Sequence, residues 1–126
     1  MSLFNFFVGL MEKQPSDVAP IKNVFDHYFF DLKYYLQKDA SIKYFSHLLK
    51  VSAEKVDEIS TVYYTLPFQI LVNEYRYKHF IEEIENPINA NLSVESIIHL
   101  CGFDSNDNFV EYVKEKRRIN QLQVNN

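Results

Sequence analysis

The chain has 126 residues, 47% of them apolar and 24% charged, with 13 basic against 17 acidic side chains and a formal charge of -4. This length suits one domain that buries a core without disulfide or metal staples, and two glycines with four prolines exclude collagen-like, disordered and turn-rich all-β classes. A lone cysteine, Cys101, excludes an internal disulfide framework and suits a reducing cytoplasm, while the acidic balance argues against indiscriminate binding to nucleic acid or anionic membrane.

The first element is the apolar run at residues 3–11, Leu3-Phe-Asn-Phe-Phe-Val-Gly-Leu-Met11. A bilayer span needs about 20 apolar residues, so this run cannot cross one. It also lacks the basic start and small-residue cleavage site of a signal peptide. Apolar residues at 3, 7, 10 and at 4, 8, 11 have helical spacing. The run reads as a short helix packed on the main domain, with partner binding or self-association as the alternative and no membrane contact. Residues 14–20, with Pro15 and Pro20, read as a linker.

From residue 21 to about 37 the apolar positions 21, 24, 25, 28, 29, 32, 35 and 36 follow a 3.6 period and predict one amphipathic helix. Ser41 is placed to cap a second helix, 42–49, with Ile42, Phe45, Leu48 and Leu49 facing inward. Ser52 caps a third helix to about Tyr64, whose buried stripe is Val56, Ile59, Val62 and Tyr63. Pro67 opens a fourth helix, reaching Glu85, with Phe68, Leu71, Val72, Tyr75, Phe80 and Ile84 as its apolar set. At 1.5 Å per residue that helix is about 28 Å long. Asn86 and Pro87 stop it, Ser93 caps a fifth helix to about Cys101, and Gly102 supplies a left-handed turn. Ser105 caps a sixth helix to about Arg118, and residues 120–126 form a polar, fraying tail. No stretch alternates as a strand does, so the expected fold is all-α. The expected organisation is 1–20 as apolar segment and linker, 21–118 as the domain and 119–126 as tail.

Two stretches share one build. In residues 41–64 and again in 93–118, a short helix, a tight turn and a serine N-cap precede a longer helix. This is helix-turn-helix grammar, in which the second helix of each pair enters a DNA major groove. A DNA turn is about 34 Å, so a connecting helix of about 28 Å is of a length to place two reading helices in successive grooves.

The motif Ser93-Val-Glu-Ser-Ile-Ile-His-Leu-Cys-Gly-Phe-Asp-Ser105 resembles the second-motif signature of the AraC/XylS family of bacterial transcription regulators, including its Gly-Phe turn. Pro67-Phe-Gln-Ile-Leu-Val-Asn-Glu-Tyr-Arg76 is similar to the family's stretch ending in Asn-x-x-Arg, and residues 42–59 fit more loosely. The resemblance covers about 21–118. It implies two helix-turn-helix units joined by a linker helix, acting on double-stranded DNA as a stand-alone reader or a fragment without a ligand-sensing domain.

By motif position the resemblance implies base contacts from Glu54, Asp57 and Glu58 in the first unit, and from Asn106, Asp107, Val110 and Glu111 in the second. Ser52, Ser105 and Lys114 would lie near phosphates, with Lys55 the only basic residue of the first reading helix. Five of those seven base-reading positions are carboxylates, where the family often carries Arg, Gln or aromatic groups. A carboxylate accepts from a cytosine amino group but cannot donate to guanine, and it faces a dense phosphate lattice. Glu54 and Asp107 also suit the positive end of a helix dipole. Two functions stay open: a DNA-binding transcription regulator, and an AraC-like fold that serves protein contacts through its acidic faces or residues 3–11.

The remaining chemistry is sparse. His79 and Glu83 are spaced i,i+4 but lack a third metal ligand nearby. Cys101 sits at an apolar helix end and reads as an inert thiol. Neither a phosphate-cradling glycine loop nor a hydrolase or zinc-protease motif is present. Tyr34, Tyr35, Tyr63 and Tyr64 offer stacking surfaces, although their spacing suits a core edge. No enzyme activity and no cofactor are expected.

Overall fold

The computed structural model describes residues 18–124, and side-chain exposure for 18–122. Among them helices are joined by turns and no strand occurs, so the fold is all-α. The readings of residues 3–11 and of the linker up to residue 17 lie outside the described part. The chain divides into two compact units: one ends at Tyr35 and resumes over Asp39–Val72, the other joins Leu36–Lys38 to the residues from Asn73 on.

In the first unit, α1 (Ala19–Asp26) takes the last two residues of the expected linker into its opening turn. Pro20 is tolerated there because the first-turn amides have no intrahelical acceptor. The single helix expected over 21–37 is not formed. At His27 the helix widens into a π turn, His27–Asp31, closed by the Leu32 amide donating to the His27 carbonyl at 2.9 Å. Lys33 then takes a φ of 54°, and Tyr34–Leu36 is a 3-10 turn. A straight helix would set Leu32 beside Phe25 and Phe29 and turn Tyr34 away from them. The break does the reverse, burying Tyr34 and Tyr35 and leaving Leu32 exposed.

The second helix, α2 (Ile42–Leu49), starts at Ser41, whose Oγ accepts the Tyr44 amide. It ends with Lys50 at φ 58°, where the Lys50 and Val51 amides reach the carbonyls of His47 and Ser46. These paired bonds satisfy carbonyls that a helix end leaves open. Phe45 and Leu49 face the core as expected, but Leu48 is exposed. Helix α3 (Ala53–Tyr64) is capped by Ser52 through the Lys55 amide at 3.1 Å. It buries Val56, Ile59 and Ser60, with Val62 and Tyr63 half-buried. Phe25, Phe29, Phe45 and Phe68 close the core, with Phe25 and Phe45 edge to face at 5.1 Å and Phe45 stacked on Phe68 at 4.9 Å. Each such ring contributes about 1.5–3 kcal/mol through burial.

Helix α4 (Phe68–Glu85) opens one residue after Pro67. Its residues from Asn73 belong to the second unit, which continues through a 3-10 turn (Pro87–Asn89), α5 (Val94–Leu100) and α6 (Asn106–Val124). Ser93 caps α5 through the Ser96 amide, and Gly102 makes the turn at φ 94°, a region closed to most side chains. Phe80, Ile97, Ile98, Cys101 and Phe103 form the core, with Phe109 and Tyr112 packed against it. Ile84, expected inside, is exposed. The sixth helix, expected to end near Arg118, runs on to Val124. Residues 118–124 contain neither Gly nor Pro, and Arg, Gln and Leu propagate helix well.

Candidate nucleic-acid interface

The two serine-capped helices present their early faces very differently. On α3, Ser52 is spent on the cap. Asp57 is committed elsewhere: its Oδ1 accepts the Phe68 amide at 2.9 Å and so caps the start of α4. Glu58 accepts from Lys55 Nζ at 3.1 Å, and its side chain is only 12% exposed. Glu54 is exposed in the first turn, where its charge complements the helix dipole. Two of the three acids expected to face bases are thus bonded within this unit, together with Lys55, the one cation of α3.

On α6, Ser105 Oγ accepts the Asn108 amide at 3.1 Å and fixes the helix start. Asn106, Asp107, Val110, Glu111 and Lys114 all lie exposed beyond it. Spacing of three and four residues sets Asn106, Val110, Lys114 and Arg117 along one side. The opposite side packs inward. Phe109 meets Phe80 at 4.6 Å and Phe103 at 5.2 Å. Tyr112 donates to Glu74, and Lys116 Nζ lies 2.7 Å from the same carboxylate. Burial opposes the charge on Glu74, yet the bonds from Lys116 and Tyr112 outweigh it and hold its pKa below the usual carboxylate value. Burial and the same carboxylate push the Tyr112 hydroxyl well up. These contacts fix the rotation of α6 and therefore which residues it turns outward. Beside Asn106 runs a shallow open groove lined by Leu92, Glu95, Ser96, His99 and Leu100.

Arg76, from the Asn-x-x-Arg stretch, is not a surface cation. It is 5% exposed, donates to the Gln37 carbonyl at 2.8 Å and lies 5.8 Å from the Phe103 ring centre. Burial lowers its pKa. The tyrosine pairs are also engaged: Tyr34 and Tyr35 are buried, the Tyr64 hydroxyl donates to Asp26, and Lys22 lies 5.2 Å over the Tyr63 ring. His79 sits 3.7 Å from Glu83 and 3.9 Å from Glu82, and no group of three metal ligands occurs among the described residues. Cys101 is fully buried, and burial, helped by Glu83, pushes its thiol up to about 11.

Three roles escaped the sequence reading: Asp57 as the cap of a neighbouring helix, Ser60 donating to the Leu66 carbonyl at 2.5 Å, and Glu74 as the anchor of α6. Only Ser60 left a trace, as a polar residue beside Ile59 on the apolar side of its helix. No family model matches the chain, and no characterised protein or solved structure matches it.

Proposed function

We propose that the chain is an AraC-type, DNA-binding transcription regulator, each serine-capped helix pair being a helix-turn-helix unit. The observation that carries this reading is the early face of α6. A capped helix start is followed by exposed Asn106, Asp107, Val110, Glu111 and Lys114, while the opposite side is fixed by Phe109, Tyr112 and Lys116. In this reading α6 lies in the major groove, with Ser105, Lys114 and Arg117 toward phosphates. The inward commitment of Asp57 and Glu58 supports it further, because acids held within the fold are less available to repel a phosphate backbone.

The test is retention of a random-sequence duplex at about 50 mM salt, where weak electrostatic association is strongest. Retention is expected, and its absence overturns the reading. The second reading, a fold serving protein contacts, is favoured by Asp107 and Glu111, which stay exposed on the same face of α6. Under it, a chain that retains no duplex still captures a protein partner, and reversing the charge of Asp107 and Glu111 abolishes that capture.

A further inference from the structure

Helices α3 and α6 begin alike but have spent their faces differently. A base edge arriving at α3 meets Asp57 bound to the Phe68 amide and Glu58 bound to Lys55. Freeing Asp57 for DNA would strip α4 of its cap. On α6, the side chains of Asn106, Asp107, Glu111 and Lys114 make no hydrogen bond or ion pair among the described residues, and Val110 keeps 44% of its surface in solvent. It is an apolar side chain on an otherwise polar outward face.

We infer that α6 alone reads bases, and that it selects A·T pairs through Val110 on the thymine methyl group and Asn106 on adenine; this deepens the DNA-binding reading and rests on it. The thymine methyl is the one apolar group on the floor of the major groove, and Val110 is the apolar group on the early outward face of α6. An asparagine amide both donates to N7 and accepts from N6 of adenine. Guanine offers only the acceptors N7 and O6, which call for Arg or Lys. Residues 106–112 hold neither, so the guanine edge finds no donor fork on this stretch.

The experiment selects bound sites from a random duplex pool at about 50 mM salt, then replaces thymine by deoxyuridine in the selected duplex. The pool is expected to become A·T-rich. Loss of the methyl group should weaken binding about three- to fivefold, the value of burying one methyl-sized group. In Val110→Ser, a substitution at an exposed position that leaves helical circular dichroism intact, thymine and deoxyuridine duplexes should bind within about twofold of each other. Binding that ignores the thymine methyl, a pool without A·T enrichment, or discrimination that survives Val110→Ser overturns this inference and leaves DNA binding standing. Failure to retain any duplex overturns both.

Discussion

Asp57 accepts the Phe68 amide from eleven residues away, so a carboxylate of α3 supplies the cap that α4 lacks in its own sequence. Asp57→Ala should cost about 1 kcal/mol, in the usual range for losing a helix cap, and Asp57→Asn should recover most of it; urea unfolding measures both. Glu74 sets an acid limit on the second unit. Its folded pKa is lowered, so its contribution is present above the unfolded carboxylate value and is lost as pH falls through the folded one. Stability should therefore decline at acid pH, and Glu74→Gln should flatten that decline while lowering stability at neutral pH. Cys101 acts in the other direction. Its thiol is raised to about 11, so the neutral form favours the fold, fully below the unfolded thiol value and progressively less as pH rises toward 11. A thiol reagent at pH 8 should label the native chain at least about a hundredfold more slowly than the urea-unfolded chain, since both burial and the small thiolate fraction oppose attack.

At the scale of the element, what the sequence made legible is what depends on neighbours a few residues away. Ser41, Ser52, Ser93 and Ser105 all cap the helices expected of them, because a serine cap needs only the amide three residues on. Serine caps, Pro67, Gly102 and local apolar spacing located α2 to α6 for the same local reason. The exception is the stretch 27–36, where period and core disagree. A regular helix keeps Leu32 inside and Tyr34 outside, whereas the aromatic core takes Tyr34 and Tyr35 and is reached only through a π turn and a positive φ at Lys33. Leu32→Gln should change stability by less than about 0.5 kcal/mol, as expected of a surface site. Phe29→Ala should cost about 3–5 kcal/mol by opening a cavity among stacked rings. The inward commitments of Asp57, Glu58 and Glu74 were not legible. Asp57 and Glu74 bond to groups far away in sequence, and for Glu58 the sequence does not reveal how far its carboxylate is withdrawn from solvent.

At the scale of the whole molecule, charge differs between the two serine-capped helices: α3 carries three acids and one cation, α6 three acids and four cations. Much of the acid on α3 is bound within its own unit, whereas α6 presents Asp107 and Glu111 beside Lys114 and Arg117. DNA association is accordingly expected to be weak in its sequence-independent part, since few phosphates are neutralised. With Lys114 and Arg117 as the two uncommitted cations on that side of α6, log K should fall against log salt with a slope of about -2, and Lys114→Gln should reduce the slope by about 0.9. The measurement that bears most directly on a DNA-reading α6 is therefore duplex affinity as a function of salt, starting at about 50 mM. Retention with a slope near -2 that becomes shallower in Lys114→Gln is the expected result; no retention at about 50 mM, or a slope unchanged by Lys114→Gln, contradicts DNA reading by α6.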